Sequence, residues 1–317
     1  MRWLAAILAL AVLAPVYAQY PTKPIRLVVP FAPGGSSSIV ARVVAAEMSK
    51  ELGQQIIIDN KPGGAGNVAM LEVARADPDG YTLIIGHIGT LAVNPYMFAK
   101  LPFDADKDFI PVSLLATVPS IFVVNAGVPA KDLKEFVALA RAKPGQLNYG
   151  SAGNGSAGHL AFEYLKLVAN IDVAHVPYKG TGPQLTDLLG GRTEASSAGT
   201  PPLLPHVRSG KLRAIAVGSP QRIHSLPEVG TVAEQGYPGF ETTQWYGLMA
   251  PAKTPDAIVR RLAAEAAKAA KTPAVAERFA ADDAIAVGST PAEFAAFIKQ
   301  EQVRWSEVVR KAGIKAD

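Results

Sequence analysis

The chain has 317 residues, no cysteine and a formal charge of +4, so it can bury a large core without disulfides and offers no thiol as nucleophile or lipid anchor. Its 31 Lys and Arg stand against 27 Asp and Glu and form no basic run, which excludes a strong nucleic-acid footprint and leaves only a mild bias toward anionic ligands. Length alone predicts about two domains.

The first element is a targeting signal. Arg2 supplies a short positive start, Leu4 to Val16 an apolar core, and Val16-Tyr17-Ala18 a small-residue pattern expected to be cut after Ala18. A membrane-spanning helix needs about 20 apolar residues, and this stretch falls short, with Pro15 near its end. Residues 1–18 are therefore read as a signal peptide, and 19–317 as an exported, soluble protein.

Beyond the signal, apolar runs rich in Val and Ile predict buried strands at 25–31, 55–60 and 81–86, separated by helical periodicity at 36–52, 65–76 and 90–98. The rhythm breaks at DFIPVSLLATVPSIFVVNAGVP (108–129), one long apolar stretch with three prolines and no helix, which contains a strand at 120–125. Alternation then resumes with helices at 131–142, 156–169, 181–190 and 201–209 and strands at 146–151, 172–177 and 212–219. A second irregular stretch, FETTQWYGLMAPAKTP (240–255), precedes a helical tail at 255–271, 273–282 and 291–312. This order predicts the α/β class, with parallel sheets covered by helices on both faces. The two irregular stretches read as strands crossing between two lobes, with lobe 1 at 19–118 plus 250–317 and lobe 2 at 119–249. Two crossings, near 114–124 and 240–250, make a hinge with a cleft beside it.

Two segments have the layout by which proteins hold anions. In VVPFAPGGSSSIVARVVAAEMSKELG (28–53) a strand runs through Pro30 to Pro33 into Gly34-Gly35, and a helix begins at Ser36 to Ser38. A helix start exposes unpaired N–H groups carrying partial positive charge. Phosphate is excluded as in a P-loop, because the Lys-Ser/Thr ending is missing; simple capping by the serines stays open. QLNYGSAGNGSAGHLAFEYLKLVAN (146–170) repeats the layout in the other lobe. Two such seats facing each other suit a carboxylate, or a small molecule with two.

Enzymatic readings are weaker. Gly153, Gly155 and Gly158 spell G-x-G-x-x-G, but the acid about 20 positions on, Asp172, precedes its strand instead of ending it, which argues against a nicotinamide enzyme. Neither Ser151 nor Ser156 has the glycine two positions earlier that a nucleophile elbow needs. The histidines at 87, 159, 175, 206 and 224 show no close spacing for a metal, and no metal or cofactor is expected.

PTKPIRLVVPFAPGGSSS, IIIDNKPGGAGNVA, SAGNGSAGHL, HVPYKGTGPQLTDLLGG, SGKLRAIAVGS, LPEVGTVAEQGYPGFE and WYGLMAP together resemble the Bug family of periplasmic solute-binding receptors. These are also called tripartite tricarboxylate transporter substrate-binding or TctC-like proteins. The resemblance spans essentially the whole mature chain. It implies a two-lobed periplasmic-binding-protein fold, type II-like, with two Rossmann-like lobes joined by two crossing strands. It further implies a non-enzymatic monomer that closes on a small dicarboxylate, tricarboxylate or aromatic carboxylate, and a membrane permease as partner.

Carried over by position, the resemblance implicates Phe31, Ala32, Pro33, Gly34, Gly35 and Ser36 in the ligand loop of lobe 1. Gly86, His87, Ile88, Gly89 and Thr90 fall in a second cleft loop, and Ser151, Ala152, Gly153, Asn154, Gly155 and Ser156 in the facing loop of lobe 2. Tyr178, Lys179 and Gly180 form a further loop, with Ala198, Gly199, Thr200 and Trp245 as cleft walls. Two family acids are missing, one near the first helix start at Ser38 and one at Ala198. Their loss removes partners for a ligand ammonium and favours plain or aromatic carboxylates, or amides. The readings kept beside the receptor are an exported hydrolase of small esters or amides and a ligand-sensing adaptor to a signalling protein.

Overall fold

The computed structural model describes residues 20–315; the signal peptide and its cleavage point lie outside the described residues. Two mixed sheets organise them. The first runs β11 (Ile285–Ala286), β4 (Phe109–Val118), β10 (Gln244–Pro251), β3 (Thr82–His87), β1 (Ile25–Val29) and β2 (Ile56–Asn60). The second runs β7 (Ala174–Pro177), β6 (Asn148–Ser151), β8 (Ala195–Gly199), β5 (Ser120–Asn125) and β9 (Leu212–Val217). In lobe 1 the sheet is covered by α1 (Ser36–Leu52), α2 (Asn67–Ala74), α3 (Asn94–Met97), α8 (Asp256–Ala270), α9 (Pro273–Ala280) and α10 (Pro291–Ala312). Lobe 2 carries α4 (Leu133–Ala142), α5 (Ala157–Ala169), α6 (Thr181–Leu189) and α7 (Thr200–Arg208). Each lobe buries apolar clusters on both sheet faces, the demand that makes β1 and β3 read as largely apolar runs.

The expectation of purely parallel sheets is corrected at the crossings. β1 pairs in parallel with β2 and β3, and β6 with β7 and β8. β10, however, runs antiparallel to β3 and β4, and β5 antiparallel to β8 and β9. The reason is directional: lobe strands end at the cleft, whereas a crossing strand enters its new sheet from the cleft. Only Pro119 separates β4 from β5. The return passes through 218–243, and β10 lies whole within the first sheet, so we place the second crossing ahead of Gln244 instead of at 249/250. The crossings are tied together: Ser120 Oγ bonds the Thr242 carbonyl, Ser120 and Thr242 hydroxyls meet at 2.8 Å, and the Gly218 amide donates to Ser120 O at 2.8 Å.

β8 was not legible. ASSAG lacks β-branched and aromatic residues, yet it sits as a fully buried strand between β6 and β5, where close flanking by helices selects small side chains. The serines of α1 do not cap it: its N-cap is Gly35, with no side-chain bond, and Ser36 to Ser38 form the first turn. Ser38 is instead held by Asn60, whose Nδ2 donates to Ser38 Oγ and to Phe31 O, each at 2.8 Å.

One buried acid braces lobe 1. Glu301 on α10 accepts from the Trp245 indole at 2.8 Å and from the Trp305 indole at 3.2 Å, both rings being almost fully buried. Replacing it by alanine strands two indole N–H donors in the core. Glu301→Ala should lower the unfolding free energy by about 3 kcal/mol, measured by urea melts, while Glu301→Gln, which keeps an acceptor, should lose clearly less.

Candidate functional site

The C-terminal ends of β1, β3 and β6 converge with the starts of three long helices on a cavity between the lobes. Lobe 1 contributes Phe31 beyond β1, Ser36 and Ser37 from the first turn of α1, and His87 at the end of β3. β10 adds Gln244 and Tyr246. Lobe 2 contributes Ala152, Ser156, Ala157 and Gly158 around the start of α5, and Thr181 and Gln184 of α6. Ser197, Ala198 and Gly199 of β8 complete the lining. The closed cavity measures about 30 Å³, room for little more than a water, so a ligand requires the lobes to part around it. No charged side chain lines it.

Main-chain N–H groups in the first turns of α1 and α5 have no intrahelical acceptor, which gives the walls partial positive charge without ions. Ser156 caps α5, its Oγ accepting from the His159 amide at 3.3 Å, and leaves the Ala157 and Gly158 amides at the cavity. His159 in turn supports the loop, since its Nδ1 accepts from the Gly155 amide at 3.2 Å. Burial and the nearby Lys166 charge push the His159 imidazole down to about 4, so it is neutral at ordinary pH.

His87 is the most informative side chain. It is 2 % exposed, stacks obliquely on Phe31 with centroids 4.8 Å apart, and burial pushes its pKa down to about 3. Nδ1 accepts from the Gly89 amide at 2.8 Å, so the neutral ring carries its proton on Nε2. Nε2 has no partner in the protein. Gln184 Oε1 and Ser197 Oγ are likewise buried and unpartnered. Ser36 Oγ makes no well-formed hydrogen bond and sits beside the Tyr246 hydroxyl, which donates to Gln244 Oε1 at 2.6 Å. Buried polar atoms are normally satisfied, so several orphans lining one cavity mark a place built for something else.

The expected site residues divide into three groups. Phe31, Ser36, His87, Ala152, Ser156, Ala198 and Gly199 line the cavity. Others form the seam where the lobes touch: the Ala32 amide donates to Lys179 O at 3.3 Å, Gly180 packs on Ala32, and Gly34 faces Gly182. A Cβ on Gly35 would press on Thr181 Oγ1, and one on Gly89 would collide with the Gly155 carbonyl. Gly34 and Gly180, with φ of +93° and +152°, adopt backbone that other residues rarely allow. Gly86 and Ile88 pack inside lobe 1, and Thr90 clasps the main chain of His87. Pro33 reaches the seam through its carbonyl near Gly182.

The remainder lie away from the cavity. Tyr178 donates its hydroxyl to Asp187 at 2.8 Å, and Gly153 backs onto the Tyr178 carbonyl; Asn154 shares that loop but does not line the cavity. Thr200 bonds Pro119 O through its amide and Asp282 O through its hydroxyl. Trp245 is corrected from cleft wall to core: strand alternation points it at Glu301 and Phe294, and turns its neighbours Gln244 and Tyr246 to the cavity. Ser151 has an imidazole in reach, with Oγ 2.7 Å from His175 Nε2, but it is fully buried in β6 and does not line the cavity.

Sequence reasoning missed Ser37, Thr181, Gln184, Ser197, Gln244 and Tyr246, together with Ala157 and Gly158. Period-two alternation around Trp245 could have found the β10 pair, and the helix start after Gly180 could have found Thr181 and Gln184. Ser197 was hidden with its strand.

The comparisons with known proteins agree on one group. The family model described as the tripartite tricarboxylate transporter family receptor, TctC, matches residues 40–314. The protein BugT of Bordetella pertussis is 37 % identical over 304 residues, covering 95 % of this chain and 93 % of BugT. Among solved structures, an R. palustris protein determined with adipate is 35 % identical, with a TM-score of 0.90 over 93 % of this chain and 99 % of that one. MatC from Rhodopseudomonas palustris, with bound malate, is 37 % identical, with a TM-score of 0.88 over 92 % of this chain and 100 % of that one. A two-lobed fold with a neutral cavity at its seam, matched along its length by these receptors, places the chain in the tripartite tricarboxylate transporter receptor family, the TctC or Bug group.

Proposed function

We propose that this protein captures a small carboxylate in the periplasm, closes its lobes around it, and presents the closed form to a membrane permease of the tripartite tricarboxylate type. The observation that carries the reading is the unpartnered Nε2–H of neutral His87, set in a cavity edged by helix starts and free of charged side chains. N–H groups and a neutral donor attract an anion without the desolvation a buried cation would demand. Missing acids leave a ligand ammonium without an ionic partner, which disfavours amino acids. The adipate and malate found in two relatives fit the same class. Binding in a receptor would couple to closure because the ligand meets both lobes only when they are together.

Turnover is not part of this function. Of the cavity serines Ser36, Ser37, Ser156 and Ser197, Ser156 serves as the cap of α5, and the serine next to an imidazole, Ser151, is sealed in β6 away from the cavity. We take the active form to be the exported monomer of residues 19–317.

The direct test is a thermal-shift panel on residues 19–317 with mono-, di-, tri- and aromatic carboxylates, amides, amino acids, phosphate and NAD. A ligand at a hundred times its dissociation constant should stabilise the protein by about 2.7 kcal/mol, several degrees in the midpoint. Shifts confined to carboxylates are expected; a panel in which no carboxylate acts would overturn the reading.

Closure can be probed separately at Gly182, in the first turn of α6, where an added Cβ would lie 3.0 Å from Pro33 O of the other lobe. Gly182→Ala should leave the unliganded protein as stable as before or slightly more so, by helix propensity, while weakening ligand affinity several-fold in calorimetry. Equal affinity would mean that the bound lobes never approach this closely.

Acid should weaken the fold in a defined window. His87 and His159 hold folded pKa values of about 3 and about 4 against an ordinary 6.5. The unfolded chain therefore takes up these protons first, so stability is undiminished above about pH 6.5 and falls as pH drops toward 3. Urea midpoints of the unliganded protein at pH 7.5, 5.5 and 4.5 should decline in that order, and the decline should shrink in His159→Asn, which keeps an acceptor for the Gly155 amide of the same lobe.

A further inference from the structure

Resting on the receptor reading above, the geometry points to Gln184 as the residue that selects among carboxylates, in favour of those carrying a hydroxyl or an amide N–H.

Gln184 lies on α6, is 0 % exposed and lines the cavity. Its Nε2 donates to Ser196 Oγ at 2.5 Å. That hydroxyl sends its own hydrogen to the Gly150 carbonyl at 2.9 Å, so toward Gln184 it can only accept. The pairing fixes the amide's orientation: turned over, Oε1 would meet an oxygen whose hydrogen is already committed. Oε1 is therefore the free end, and it has no partner in the protein. An amide oxygen accepts and never donates.

Ser197 on β8 adds a second unpartnered oxygen to the same wall, 1 % exposed. On the other lobe, His87 Nε2 is a fixed donor. The cavity thus offers a fixed donor at His87 and a fixed acceptor at Gln184, while the Ser197 hydroxyl can donate or accept. A carboxylate answers the first. A second carboxylate facing Gln184 would set acceptor against acceptor with no hydrogen between them. An ammonium there would lack any lining acid to balance it. The group that completes the wall is neutral and donating, a hydroxyl or an amide.

Matched pairs of ligands test this by calorimetry: succinate against malate, succinate against succinamate, and benzoate against 4-hydroxybenzoate. Within at least one pair the donor-bearing member should bind roughly ten-fold tighter or more. In Gln184→Met, which keeps length but removes the acceptor, that ratio should collapse toward one through weaker binding of the donor-bearing member, with the plain carboxylate changed by less than about two-fold. Because the ratio is read within each variant, a loss of stability from breaking the bond to Ser196 does not imitate the result. Carboxylate binding with no preference in the wild type would overturn this inference and leave the receptor reading standing. A preference that survives in Gln184→Met would equally overturn it, moving selection to Ser197 or to water. Absence of binding by every carboxylate would instead bring down the receptor reading itself.

Discussion

Polar atoms that lose water when the lobes meet, and find no replacement in the protein, are the constraint on which this molecule turns. His87 Nε2, Gln184 Oε1 and Ser197 Oγ are all buried in the closed arrangement and all unpaired. In an open cleft each would be hydrated. Closing on nothing therefore carries a desolvation penalty, and closing on a molecule that supplies the missing partners removes it. The two-state behaviour expected of a receptor follows from this imbalance, with no need for a strained hinge or a charged trigger.

The remaining architecture positions those atoms. Strands of both lobes end at the cleft, so the helices that follow them start there, and their first turns edge the cavity. The crossing strands β5 and β10 must enter from the cleft and run antiparallel to their neighbours, which is how Gln244 and Tyr246 come to the cavity opposite His87. Away from the cavity, the lobes also meet at a latch. There Thr200 holds Asp282 O, the Ser225 amide donates to Asp283 at 3.1 Å, and Arg208 reaches Ala281 O. Since Thr200 also bonds Pro119 O between β4 and β5, crossing and latch share one residue.

Much of the fold was legible because burial on both sheet faces writes itself as apolar runs, and glycine-rich turns announce helix starts. The two interruptions at 108–129 and 240–255 correctly marked where the rhythm of strand and helix fails. What escaped were features decided by neighbours across space. β8 has no strand propensity of its own, and its ASSAG sequence reflects the tight packing it receives. The expectation for Trp245 failed on a single alternation: the residue sits in the right strand but on the core face. Gln184 looked like an ordinary polar helix residue until the Ser196 bond fixed which end of its amide is free.

The neutral lining also bears on how such a receptor can diversify. On the proposed reading, main-chain N–H groups, which no side-chain replacement deletes, hold the carboxylate head beside the side-chain donor of His87. The walls that judge the rest of the molecule, at Gln184, Ser197, Ala198 and Gln244, carry no charge whose removal would leave a buried counter-ion stranded. Each can be exchanged singly for another neutral residue without unbalancing the interior. A lineage of duplicated genes could thus explore many ligands on one frame by single steps, the capture of the common head group being written into the backbone itself.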